Sequence, residues 1–190
     1  GKPPTVLRQE MAQPFDSFVS FSCWAKMLGR TPGQHTVEIA RRPVSGVIAA
    51  ALDLDADDQV VQLRRLRLLD GEPVMVERTT FVLRWGTLLF DHDPDGGSIY
   101  EYLTSQGLQI GAARHSIDAV AADADDRDLL GVEAGAPLLR EIRIAHTADG
   151  DAFEYSDDRY RPDRVTFTIN NAPKGRPLFG RTWHGTARPR

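Results

Sequence analysis

Arg65 and Arg67 stand two residues apart in the stretch Val60 to Leu69, where Val61, Leu63 and Leu69 supply the other residues of the same strand face. In extended chain alternate side chains share a face, so two guanidinium groups lie side by side on an otherwise apolar surface. That is costly unless the cations meet anions or a ligand. Neighbouring guanidiniums on one strand face sit close enough to grip a single carboxylate or phosphate. Pairing with glutamates across a sheet, or plain exposure to solvent, is the competing reading.

Whether Glu77 joins them depends on the turn at Asp70-Gly71. A two-residue loop sets Glu77 opposite Arg64, on the other face. A three-residue loop, Leu69-Asp70-Gly71 with a left-handed glycine bulge, sets it opposite Leu63, beside Arg65. A second anion-friendly feature is Gly96-Gly97-Ser98 leading into a helix, where free N–H groups and a partial positive charge gather; Ser98 as a simple cap is the alternative. Tyr100 lies in the first turn of that helix. A third cluster is Glu154, Ser156, Asp158 and Tyr160, alternate residues on one strand face, which form either a solvated sheet surface or the wall of a wet pocket.

Other candidates fail on chemistry. Asp91-His92-Asp93-Pro94-Asp95-Gly96 imitates the start of a calcium loop, but its twelfth position is Tyr102 where a bidentate Glu is needed. The five histidines (His35, His92, His115, His146 and His184) have no ligand spacing, so no metal or cofactor is expected. Cys23 has no adjacent base and reads as a buried helix residue. Hydrolase, phosphate-loop and dinucleotide fingerprints are all missing.

The elements that must position these residues follow from local pattern. Phe21 to Leu28 reads as a short helix with Ser22 as N-cap and Gly29 closing it. Gln34 to Arg42 alternates as a strand with Val37 and Ile39 on one face. Ser45 caps a small-residue helix over Gly46 to Leu52, and Asp53 to Asp58 is an acidic turn. Val60 to Leu69 and Pro73 to Leu83 form a hairpin, and Trp85 to Gly97 is a loop. Ser98 and Glu101 fit a capping box for a helix ended by Gly107. His115 to Ala121 is a strand, and Asp125 to Leu130 a helix closed by Gly131. Strands Pro137 to His146 and Ala152 to Arg161 flank Asp149-Gly150, and Arg164 to Asn170 is the last strand. The pattern predicts an α+β domain with a mostly antiparallel sheet of about six strands.

Length and composition bound the class. At 190 residues, 41% hydrophobic and 26% charged, the chain is expected to form one soluble domain that needs no disulfide or metal. One cysteine excludes an internal disulfide framework, and no apolar run approaches the ~20 residues of a membrane span. Gly1-Lys2-Pro3-Pro4 is no signal peptide and lacks an initiator Met, which points to a fragment or processed chain. Lys174, Arg176, Arg181, Arg188 and Arg190 give the end of the chain five positive charges without an acid. Removing them from the net −4 leaves residues 1–173 at −9, a poor match for a nucleic-acid backbone.

Several short motifs occur in one order. They are Leu66-Arg67-Leu68-Leu69-Asp70-Gly71-Glu72-Pro73-Val74, Glu77-Arg78-Thr79, Ser98-Ile99-Tyr100-Glu101, Leu129-Leu130-Gly131-Val132, Pro137-Leu138-Leu139, Asp149-Gly150 with Glu154-Tyr155-Ser156, and Tyr160-Arg161-Pro162-Asp163-Arg164. In this order and spacing, from about Ser20 to Phe167, the chain resembles the effector-binding (UTRA) domain of HutC-type GntR-family transcription regulators. The resemblance implies a chorismate-lyase-like fold, a homodimer and a cytoplasmic, non-enzymatic sensor without cofactor. It implies a pocket formed by the Ser20-Phe21-Ser22 segment, Arg65, Arg67, Glu77, Ser98, Tyr100, Glu154 and Tyr160. Relatives that bind phosphorylated sugars hold the phosphate at the positions of Arg65, Arg67 and Ser98 and the sugar at the Glu and Tyr positions. That favours a small anionic metabolite as effector, and the three-residue turn. Cys23-Trp24 departs from the acidic residues found there in many relatives. On this reading residues 1–18 are the linker from a missing N-terminal winged-helix domain through which alone operator DNA is bound. Residues 19–170 are then the effector domain and 171–190 a basic tail, with no membrane contact. A lyase acting on an anionic cyclic substrate on the same fold, and a dimerisation module with a vestigial pocket, are the competing functions.

Overall fold

The computed structural model describes residues 20–44, 46–170 and 178–183. In chain order the elements are helix α1 (Phe21–Met27), strand β1 (Pro32–Pro43), helix α2 (Gly46–Leu52), strands β2 (Gln59–Leu69) and β3 (Glu72–Val82), and helix α3 (Leu83–Gly86) running into a 3₁₀ turn (Thr87–Asp91). Helix α4 (Ile99–Ser105), strand β4 (Ile110–Ala121), helix α5 (Ala124–Leu130) and strands β5 (Pro137–Thr147), β6 (Ala152–Tyr160), β7 (Val165–Asn170) and β8 (Leu178–Trp183) follow. The first six strands make one sheet in the order β1-β2-β3-β6-β5-β4, every neighbouring pair antiparallel. Two three-stranded meanders therefore meet along β3 and β6. The α+β architecture agrees with the sequence reading. The last predicted strand instead pairs with β8 in a separate two-stranded sheet, so Leu178–Trp183, inside the segment read as a basic tail, is extended and paired. The linker 1–18, the proposed cap Ser45, His184 and the rest of the tail lie outside the described residues.

The central hairpin takes the two-residue turn, not the three-residue turn that the resemblance favours, and its pairing differs from both expectations. Leu69 pairs with Glu72, which leaves Asp70 (φ 53°) and Gly71 (φ 84°) as a two-residue loop. Positive φ at both positions suits the right-handed twist of the flanking strands. The register then shifts between Arg67 and Leu68, because Val74 is an extra residue on β3, and this bulge sets Glu77 directly opposite Arg65. Neither of the two expected partners, Arg64 or Leu63, faces it. A bulge changes which face a strand presents, so a two-residue turn and a shared Arg–Glu face coexist.

One sheet face carries two apolar clusters with a gap between them. At one end Phe21, Trp24 and Ala25 of α1 pack on Leu69, Val74, Met75, Tyr160 and Val165. At the other, Ile99 and Leu103 of α4 pack on Leu63, Phe81, Leu89, Ala145 and Phe153. On the opposite face Leu130 joins Val76, Ala122 and Leu138. There α5 is also pinned by Asp126, fully buried, which accepts from Arg78 (2.8 Å) and Arg159 (2.7 Å).

Several local expectations are corrected. Ser20, not Ser22, caps α1: its hydroxyl accepts the Cys23 N–H, and Ser22 turns inward. Cys23 is exposed rather than buried, because Phe21, Ser22, Trp24 and Ala25 take the inner side of α1. Val37 is exposed rather than paired with Ile39 on one face, because β1 bulges between Thr36 and Glu38. The first part of the supposed loop Trp85 to Gly97 is helical. Ser98 caps α4 by accepting from Glu101 N, while the full reciprocal capping box forms at α5 between Asp123 and Asp126. Among the described residues no helix is long and apolar enough to cross a membrane.

Candidate functional site

The gap between the two apolar clusters is a cavity, and all nine side chains singled out from sequence line it: Phe21, Ser22, Arg65, Arg67, Glu77, Ser98, Tyr100, Glu154 and Tyr160. Strands β2, β3 and β6 form its floor, α1 one wall and the start of α4 the other. Its open volume is about 40 Å³.

Arg65 and Arg67 are only 3% and 2% exposed, which excludes the solvated-surface reading. Both turn to Glu77. Arg65 Nη2 donates to both carboxylate oxygens, at 2.9 and 3.0 Å, and Arg67 Nη1 to Oε2 at 3.3 Å. Arg65 Nη1 also donates to the carbonyl of Pro94, at 2.8 Å, within the stretch that imitates a calcium loop. Arg67 Nη2 donates to Ser22 Oγ at 2.9 Å, and its guanidinium lies 4.5 Å from the centre of the Phe21 ring. Burial acts to raise the Glu77 pKa, but the charges of Arg65 and Arg67 and the Arg65 hydrogen bonds outweigh it and hold the carboxyl at about 2. Burial and the neighbouring Arg65 charge lower Arg67 to about 10, against the pull of Glu77. At neutral pH two buried cations thus share one carboxylate.

The β6 row is pocket wall, not solvated sheet. Glu154, Ser156, Asp158 and Tyr160 are all buried. Arg143 of β5, which sequence reasoning missed, crosses to this row. Its Nε donates to Glu154 Oε1 at 2.9 Å and its Nη2 to Ser156 Oγ at 3.0 Å, and it lies 5.5 Å from the Tyr100 ring centre. The register pairs Arg143 with Ser156 and Glu141 with Asp158, so the predicted Asp149-Gly150 hairpin was the signal that could have found both. Beneath the cavity Glu141 is fully buried; it accepts from the Tyr160 hydroxyl at 3.0 Å and its Oε1 lies 2.7 Å from His115 Nδ1. Asp158 is the outlier. Burial, with the charges of Glu77, Glu141 and Glu154, raises its pKa well above the usual carboxyl range against the pull of Arg143. Burial likewise raises the Tyr100 phenol.

Chemically, this is a small polar chamber with apolar ends, suited to holding a charged molecule by hydrogen bonds. Among the described residues no group of three or more His, Cys, Asp or Glu side chains is placed to hold a metal ion.

The model of the UTRA domain matches residues 27–166. The chain belongs to the UTRA domain family. It is 31% identical over 171 residues to the HTH-type transcriptional repressor PhnF of Mycolicibacterium smegmatis, covering 88% of this chain and 68% of that protein. It is 27% identical over 169 residues to the HTH-type transcriptional repressor NagR of Bacillus subtilis, covering 88% and 69%. Among solved structures, the effector domain of PhnF from Mycobacterium smegmatis superposes with a TM-score of 0.75 at 29% identity, over 80% of this chain and 94% of that one. The ligand-binding domain of a GntR-family regulator from Bordetella bronchiseptica, at 23% identity and a TM-score of 0.64, shares the fold. The relatives that this UTRA domain matches are transcriptional repressors, and the PhnF segment on which it superposes is an effector domain.

Proposed function

We propose that this UTRA domain is the small-molecule-sensing, dimerising part of a bacterial HutC-type regulator, and that it binds an anionic metabolite, a sugar phosphate or similar, in the cavity. The observation that carries this is the pairing of two buried guanidiniums, Arg65 and Arg67, with the single carboxylate of Glu77. Sharing one carboxylate leaves the two guanidiniums with donors to spare, the Nε–H of each being without a hydrogen-bond partner, and an anion satisfies them. In this reading Arg65, Arg67 and Ser98 hold the anionic end of the ligand. Glu77, Tyr100, Glu154 and Tyr160 meet its polar body, and Phe21 and Ser22 close over it. No catalytic step is assigned to these residues.

Ligand controls operator affinity only as far as it binds one arrangement of the dimer better than another. Operator contact belongs to a winged-helix domain N-terminal to this segment, and the protein works in the cytoplasm beside its DNA. The names of PhnF and NagR as HTH-type repressors support this assignment.

The test is a thermal-shift screen of phosphosugars, amino acids and organic acids against the wild-type chain and the variants Arg65→Met and Arg67→Met. A ligand at a hundred times its Kd adds about 2.7 kcal/mol to the native state, about 5–10 °C in melting temperature for a domain of this size. A phosphosugar that raises the wild-type midpoint by that much and leaves both variants unmoved is the expected result. Anions that leave the wild type unmoved, or that shift the variants equally, refute the anion site and favour a dimerisation module with an idle pocket.

A further inference from the structure

Asp158 presents a polar requirement that the protein does not meet by itself. The side chain is 1% exposed and lines the cavity, yet neither carboxyl oxygen has a hydrogen-bond partner. Its nearest cation, Arg143 Nη1, stands 3.6 Å from Oδ2, beyond hydrogen-bond distance, while the same guanidinium spends its Nε and Nη2 on Glu154 and Ser156. A buried polar group without a partner is costly, and native proteins keep one where something else completes it.

Resting on the anion-binding reading above, we infer that Asp158 is a specificity-determining residue: it accepts a hydrogen bond from a hydroxyl or amino group carried by the anionic effector. Arg65 and Arg67 on β2 take the anion, and Asp158 on β6, across β3, takes the donor at the other side of the same cavity. The site thereby distinguishes a substituted phosphate from a bare one. A buried acceptor left unpaired rejects a ligand lacking the matching donor far more strongly than an apolar wall does.

The groups facing Asp158 set how its response depends on pH. They are Glu77 on β3, Glu141 and Arg143 on β5, Glu154 on β6, Arg67 on β2 and Tyr100 on α4. Burial and the charges of the three carboxylates favour the protonated form of Asp158, against the pull of Arg143. A ligand ammonium offers the ionised carboxylate a counter-charge that a hydroxyl does not, so affinity for an amino ligand should rise more steeply with pH than affinity for a hydroxyl ligand.

Calorimetric titration of the wild-type chain, Asp158→Asn and Asp158→Leu with ethyl phosphate, glycerol 3-phosphate and ethanolamine phosphate tests this. We expect the wild type to bind at least one donor-bearing phosphate ten-fold or more tighter than ethyl phosphate, and Asp158→Leu to bind all three alike. Asp158→Asn, near-isosteric, controls for packing; it keeps a preference for the hydroxyl ligand and loses any pH-dependent preference for the amino one. If the wild type binds all three phosphates equally, or Asp158→Leu keeps the discrimination, the assignment is overturned while the anion site stands. If no phosphate binds the wild type, the anion reading itself fails, and the role of Asp158 falls with it.

Discussion

Replacing Glu77 by Gln isolates the charge balance on which the site rests. The substitution keeps shape and removes the carboxylate that Arg65 and Arg67 share, leaving two guanidiniums at 3% and 2% exposure without a counter-charge between them. Breaking a buried ion pair by removing one partner costs about 3–5 kcal/mol. The pH route gives a similar size. Glu77 is held at about 2 against its ordinary 4.5, and at about 1.4 kcal/mol per pKa unit that difference is about 3 kcal/mol. Because the folded value is the lower one, this contribution is fully present at neutral pH. It fades as the pH falls from about 5 towards 2. Urea melts of wild type and Glu77→Gln at pH 7, 5, 4 and 3 should show a gap of about 3 kcal/mol that narrows to about half by pH 3. Inorganic phosphate or sulfate should stabilise the variant more than the wild type, since an anion then replaces the lost carboxylate. A variant within about 1 kcal/mol of wild type at pH 7, or a gap that does not narrow in acid, refutes the reasoning.

The other predictions concern the parts that hold the site in place. Asp126→Ala removes the buried acceptor of Arg78 and Arg159 and should destabilise the domain by about 3 kcal/mol in chemical denaturation. Faster hydrogen exchange in α5 than in β2 should accompany it. Tyr160→Phe deletes the donor to Glu141 and should cost about 1–2 kcal/mol, measured in the same way. Gly86→Ala places a methyl group against the Val61 side chain and 3.2 Å from the Phe81 Cβ. This overpacking should lower stability by about 1–3 kcal/mol without altering ligand preference.

How much of this was legible in the sequence follows from which interactions are local. Arg65 and Arg67 were found because strand periodicity alone puts them on the face of Leu63 and Leu69, and Glu154 and Tyr160 emerged in the same way from β6. The position of Glu77 was not legible. It depends on a bulge at Val74, whose side chain packs in one cluster with α1 and Val165, both far from the turn in sequence. The cap of α1 was misplaced by two residues because Ser20 and Ser22 are equally good caps locally. Only the distant Arg67 guanidinium decides that Ser22 faces inward. Arg143 was missed because nothing within β5 marks it as buried; its partners, Glu154 and Ser156, come from the neighbouring strand. Asp158 was visible as part of a polar row, but its lack of partners is a property of the assembled cavity.

An anion in the cavity must meet Arg65 and Arg67, and their Nε–H groups, which are buried without hydrogen-bond partners, give a direct readout. Arginine Nε–Hε NMR spectra should be recorded while the chain is titrated with the phosphosugar that gives the largest thermal shift. The Arg65 and Arg67 resonances should move together and saturate, with Arg143 following and Arg41 and Arg114 on the outer strands still. Saturable binding that leaves Arg65 and Arg67 unmoved would contradict the anion site.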